Sequence, residues 1–246
     1  MLERIAILAL SGVALGLAAA PAPADTLPAT LAKALEGAEL DTREGWAYRQ
    51  TAQVEAMDDP AVTTVIRWDP SKPPAERCTV VLVEIEGVAK GKAHDEDPCD
   101  DAEDRELYGD LVQLVQDSIV ETVNENEQAA VYRIIPRDKQ KGFRMGGMHV
   151  DVGDEELENF EGTLVVTKTG DGAPYVQRLE LGIKEPKGNL LARLGKLDIV
   201  FTYAPDPATG AKLLSSLSVD LQLRLFTLFN ITTQVSQRYD EYRRVQ

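Results

Sequence analysis

Apolar positions are spaced in two ways along the chain, and the switch between them marks out the elements. Leu27, Leu31 and Leu35 recur at four-residue spacing, with Pro28 suited to a first helical turn and Gly37 to an end, which predicts a short amphipathic helix over Leu27–Glu36. From Trp46 the period becomes two. Trp46, Tyr48, Ala52 and Val54 fall on one side, and Arg49, Thr51, Gln53 and Glu55 on the other. Val62, Thr64, Ile66 and Trp68 repeat that alternation until the breaker cluster Asp69-Pro70-Ser71-Lys72-Pro73-Pro74. Thr79–Ile85 is apolar on both parities as far as Glu84, which predicts a strand with both faces covered.

Helical spacing returns over Asp101–Val123, where Leu107, Leu111, Leu114, Val115 and Ile119 form one stripe. This second helix is expected to lie over the sheet. Strands are then predicted at Ala129–Ile135, Phe160–Lys168, Tyr175–Ile183, Leu197–Tyr203, and from Leu213 onward with a break near Thr227. Thr169-Gly170-Asp171-Gly172 fits a hairpin turn, and the polar, glycine-bearing Gly142–Glu158 reads as a long loop. About eight or nine consecutive strands with two helices give an α+β class, mainly antiparallel β. There is no βαβ rhythm, no sustained repeat and no linker, so residues 25–246 are expected to form one domain.

The first 24 residues read differently. A polar start with Arg4, an apolar run from Ile5 to Ala20, and the small residues Ala22-Pro23-Ala24 predict a secretory signal peptide cleaved after Ala24. A membrane anchor is the competing reading, but the run is shorter than the roughly 20 residues a spanning helix needs and ends in Pro-Ala-Pro. The expectation is an exported, periplasmic protein without stable membrane insertion. Its formal charge of −15 opposes binding to nucleic acid or anionic lipid surfaces. In an oxidising compartment Cys78 and Cys99 read as one disulfide, with two free thiols as the alternative.

Candidate chemistry is sparse. His94 and His149 are far apart in sequence, and no G-x-S-x-G accompanies them. Asp95, Asp97, Asp101 and Glu106 have spacing reminiscent of a calcium loop, but Asp100 stands where a turn glycine is needed and Pro98 stiffens the middle. A solvated loop leading into the second helix is the better reading. Met145, Met148 and His149 could hold copper, though Met145-Gly146-Gly147-Met148-His149 reads more simply as a flexible loop. Neither a P-loop nor G-x-G-x-x-G occurs, and Asn230-Ile231-Thr232 matches a glycosylation acceptor within a predicted strand. No cofactor and no catalysis are expected.

A helix near the mature N-terminus, a first strand opening Trp46-Ala47-Tyr48-Arg49-Gln50-Thr51, and an antiparallel meander resemble the Lol-type periplasmic lipoprotein carriers and their exported bacterial relatives. The turn Arg67-Trp68-Asp69-Pro70-Ser71-Lys72-Pro73, followed by Glu76-Arg77, is similar to one found in such proteins; an aromatic often follows there, where this chain has Cys78. The resemblance implies a curved half-barrel whose concave apolar face, covered by helices, holds acyl chains. Trp46, Tyr48, Ile66, Trp68, Tyr132, Leu164, Leu179, Phe201 and Leu221 are the candidate lining, with an ordinary filled core as the alternative.

Three functions follow as expectations. The first is a binding module for a lipid, lipoprotein acyl chain or other apolar ligand. The second is an envelope scaffold with a protein partner and no ligand, and the third a metal protein or enzyme. Arg178, Lys184 and Lys187 offer positive charge for handover of a ligand, or equally a solvated sheet edge.

Overall fold

The computed structural model describes residues 27–36, 45–57, 60–89, 99, 108–136, 143–145, 148–150, 159–188, 192–226 and 229–245. The predicted signal peptide, His94 and the acidic residues around Cys99 lie outside them. Helix α1 is Ala29–Leu35 and α2 is Tyr108–Gln116. The strands are β1 (Trp46–Ala56), β2 (Val62–Trp68), β3 (Cys78–Ile85), β4 (Val88–Ala89), β5 (Ser118–Glu125), β6 (Ala129–Pro136), β7 (Phe143–Met145), β8 (Met148–Val150), β9 (Phe160–Lys168), β10 (Pro174–Ile183), β11 (Lys187–Gly188), β12 (Ala192–Pro205), β13 (Lys212–Leu225) and β14 (Phe229–Arg244).

One antiparallel sheet runs β4-β3-β2-β1-β14-β13-β12-β10-β9-β6-β5, with β11 beside β12, and β7–β8 form a separate hairpin. Ten of its strands have seven residues or more among the described residues, so the α+β, mainly antiparallel class holds with a strand more than the eight or nine expected. The pairing of β1 with β14 joins the two ends of the chain, from Trp46 opposite Arg244 to Ala56 opposite Thr233. The sheet does not close, because its end strands β4 and β5 have no further neighbour in the order. It does curve. Helix α2 touches both β6 and β13, which stand four strand positions apart.

The tenth strand is β5, and it corrects the predicted second helix. Leu111, Leu114 and Val115 are buried as the helical stripe required, but Ile119 is 43% and Val123 64% exposed. Ser118-Ile119-Val120-Glu121-Thr122-Val123 is rich in β-branched side chains that stiffen against a helix and suit a pleated strand. The Ser118 hydroxyl donates to the Leu114 carbonyl at 2.7 Å and so closes the last turn of α2. A second correction concerns β3. Its expected double cover fails because Val81 lines an open cleft on the face away from the helices and is 50% exposed, while Val83 is fully buried. The predicted 142–158 loop contains the β7–β8 hairpin, with Met145 opposite Met148 and Arg144 opposite His149.

The Thr169–Gly172 turn forms as predicted. Thr169 N–H donates to the Ala173 carbonyl at 2.9 Å, and Gly172 takes φ +85°, which favours glycine. Gly162 in β9 is required for a different reason. It lies opposite Ile134 and Leu181, and a Cβ there would stand 2.7 Å from each of those side chains and 2.8 Å from the Glu180 carbonyl. The helices cover one face: α1 buries Leu31, Ala34 and Leu35 against β9 and β10, and α2 spans β5, β6 and β13.

Candidate functional site

Alternation of side chains puts every second residue of each strand on the face the helices cover. Four of the nine predicted lining residues meet there in one row. Tyr132 of β6 stands opposite Leu164 of β9, Leu164 opposite Leu179 of β10, and Leu179 opposite Phe201 of β12. The row continues through Leu217 of β13 to Gln237 of β14. Tyr48 and Trp68 are direct partners across β1 and β2, and Ile66 stands opposite Gln50. Eight of the nine are buried in one continuous core cluster, and Leu221 is half-buried against it.

Tyrosines from β14 complete the aromatic corner beside β1. The ring of Trp46 meets Tyr242 edge-on at 6.2 Å, and Tyr48 lies 5.7 Å from both Tyr239 and Tyr242. The hydroxyl of Tyr242 donates to the Leu214 carbonyl at 2.6 Å, and that of Tyr239 to Gln237 Oε1 at 2.6 Å. Burial pushes the Tyr242 phenol well above its ordinary range, with the neighbouring phenols adding to the shift. Burial also raises Tyr132, helped by the Glu125 carboxylate and partly offset by Thr30. The Tyr132 and Tyr242 phenols stay neutral at physiological pH, as an apolar interior requires.

Gln50 was not among the predicted lining, because its polar type broke the apolar reading of β1. Its position is nonetheless of the buried parity, between Tyr48 and Ala52, and it is 1% exposed. Its Oε1 has no hydrogen-bond partner among the described residues. A buried amide oxygen is costly to leave unsatisfied, by about 1–3 kcal/mol, so it is a natural anchor for a donor.

The inner apolar face also outruns its covering. Along β13, Val219, Leu221, Leu223 and Leu225 continue the inward parity, opposite Val235, Thr233, Ile231 and Phe229 of β14. These are half-buried, and Phe229 is 61% exposed, whereas the intervening Gln222, Arg224 and Asn230 are polar. Asn230 Oδ1 accepts from Arg224 Nε at 3.0 Å, so the asparagine of the glycosylation-like triplet sits in β14 as predicted.

The other candidates contribute less. Arg178 is ion-paired with Glu180 at 2.6 Å, and the Lys187 side chain lies outside the described residues. Lys184 donates its backbone N–H to the Asn159 carbonyl and its side chain is exposed. Backbone pairing places Met145, Met148 and His149 on one hairpin, with their side chains outside the described residues. Among the described residues no three His, Cys, Asp or Glu converge on a metal position. Cys78 and Cys99 form a disulfide with Cα atoms 5.8 Å apart. No helix among the described residues is long and apolar enough to cross a membrane. No protein-family model, curated protein or solved structure matches the chain.

Proposed function

We propose that the inner face shelters a lipid, a lipoprotein acyl chain or another apolar ligand, in an exported periplasmic protein that acts without catalysis, as in the Lol-type carriers its sequence resembles. The observation that carries this reading is the amphipathic end of the β13–β14 pair. Leu221, Leu223, Leu225, Ile231 and Phe229 keep one parity apolar for several residues past the buried core. A solvated strand end has no need of that pattern, and a half-buried apolar stripe ending at the exposed Phe229 supports a binding region. Each methylene of an acyl chain laid on it gains about 0.8 kcal/mol.

A fluorescent fatty acid, 11-(dansylamino)undecanoic acid, tests the proposal. Saturable binding with a blue-shifted emission is expected. Leu223→Glu, which places a charge on the half-buried apolar face, should weaken it by about tenfold or more, since an unpaired carboxylate is strongly disfavoured there. Absence of saturation, or equal affinity in the variant with its fold intact by circular dichroism, would argue for the scaffold reading.

A further inference from the structure

The opposite face of the sheet carries a second feature, independent of the apolar one. Where β1, β2, β3 and β14 meet, a cleft of about 340 Å³ lies on the side away from the core, within the size range of small-molecule sites. Five of the chain's 26 lysines and arginines line it: Arg49, Arg67, Lys72, Arg77 and Arg243. The carboxylates of its lining are Asp69 and Glu241. Among the described residues the lining is therefore positive, with five cations to two carboxylates, in a chain whose formal net charge is −15.

The cations are held together against their own repulsion. Arg49 and Arg67 stand directly opposite each other on neighbouring strands, an arrangement that destabilises a sheet when nothing lies between. Glu241 lies between them, its Oε1 3.8 Å from Arg49 and its Oε2 3.3 Å from Arg67. It reaches them from a bulge in β14, where the pairing with β1 shifts register, and it takes φ +53°. A non-glycine residue in that left-handed region is strained, and such strain gathers at functional sites.

The turn after β2 adds the other charges on a fixed frame. Asp69 N–H donates to the Arg77 carbonyl at 2.7 Å, and Arg77 Nε donates to the Lys72 carbonyl at 3.2 Å. The Asp69 carboxylate accepts from the Ser71 hydroxyl at 2.5 Å and pairs with Arg243 at 3.0 Å. Ser71 chiefly holds its carboxyl below the usual range, with Arg243 and Lys72 contributing. Neither Arg77 nor Lys72 pairs with a carboxylate among the described residues.

We propose that this cleft binds a phosphate group, with Arg67 and Arg77 as the principal guanidinium donors, Lys72 as a further cation, and Glu241 as the internal counter-ion that yields to the ligand. Planar guanidinium forks match phosphate oxygens. A phosphomonoester carries about −1.5 to −2 at pH 7, which suits a lining with an excess of cations. The overall negative charge disfavours extended polyanions, so a compact ligand fits better. A free phosphate and the phosphate of a lipid headgroup share this chemistry.

Isothermal titration with inorganic phosphate and with glycerol 3-phosphate, against chloride at matched ionic strength, tests the site. Both should bind saturably, and the double variant Arg67→Gln/Arg77→Gln should lose about tenfold or more in affinity through lost charge-assisted hydrogen bonds. Glu241→Gln should bind several-fold tighter, an effect that general loss of structure would not produce. Preference for glycerol 3-phosphate identifies a headgroup-like ligand, and equal affinity a free phosphate; either supports the site. Failure of both probes to saturate would overturn it. So would an unchanged affinity in the double variant. Because the cleft lies on the opposite face, none of these results depends on fatty-acid binding inside.

Discussion

Replacing Phe201 by alanine is expected to lower the free energy of unfolding by about 3–5 kcal/mol, the range for removing a fully buried aromatic side chain. Phe201 is 1% exposed at the middle of the sheet, flanked in register by Leu179 and Leu217, whose own side chains are buried. Those neighbours are fixed by antiparallel pairing on both sides, so they cannot easily collapse into the space left behind. Domains of this kind are stable by only about 5–15 kcal/mol, so urea denaturation should show a large fall in midpoint with little change in slope. Phe229→Ala provides the contrast. Phe229 belongs to the same inward parity but is 61% exposed, so its loss should change stability by no more than about 0.5 kcal/mol. It should nevertheless weaken binding of the dansylated fatty acid. If the two variants were equally destabilised, the division of the inner face into a packed core and an open apolar end would be wrong.

The second large effect should come from the disulfide. Cys78 and Cys99 are separated by 21 positions, and closing a loop of that length restricts the unfolded chain enough to contribute about 3 kcal/mol. Cys78 begins β3 opposite Trp68 and packs against the core. The bridge therefore ties a residue beyond the described part of β4 to the corner of the sheet that carries the aromatic cluster. The double variant Cys78→Ser/Cys99→Ser, compared with the oxidised protein in urea, should show a midpoint lowered by that amount. Its slope should rise slightly, because the unbridged denatured chain exposes more surface. An unchanged midpoint would mean that the denatured chain already keeps the two segments close without the bridge.

Much of the architecture was legible from period alone. Trp46, Tyr48, Ile66 and Trp68 were placed on the buried parity of β1 and β2 because two aromatic-rich alternating runs leave little choice of face. Tyr132, Leu164, Leu179 and Phe201 were identified individually, but that they share one row depends on register, which hairpin lengths and bulges set and a pattern does not state. The boundary between α2 and β5 was missed because Leu111, Leu114, Val115 and Ile119 satisfy helical spacing across a change of structure. The β-branched run from Ile119 was the available signal. Gln50 was passed over for being polar, although its parity was that of its buried neighbours. For β3 the misreading arose from composition: apolar residues on both parities predict two covered faces, whereas the face that carries Val81 stays open. The basic cleft was out of reach of the sequence, since Arg49, Arg67, Arg77, Arg243 and Glu241 come together through pairing of the first and last long strands.

The central claim is that the inner face holds an apolar ligand, and mass spectrometry tests it most directly. The full-length protein is purified without detergent and extracted with organic solvent beside Leu223→Glu and an unrelated protein of similar size. A lipid or acylated species near one equivalent, depleted in Leu223→Glu and absent from the control, is the result predicted. Extracts of the three proteins that cannot be told apart would contradict the claim.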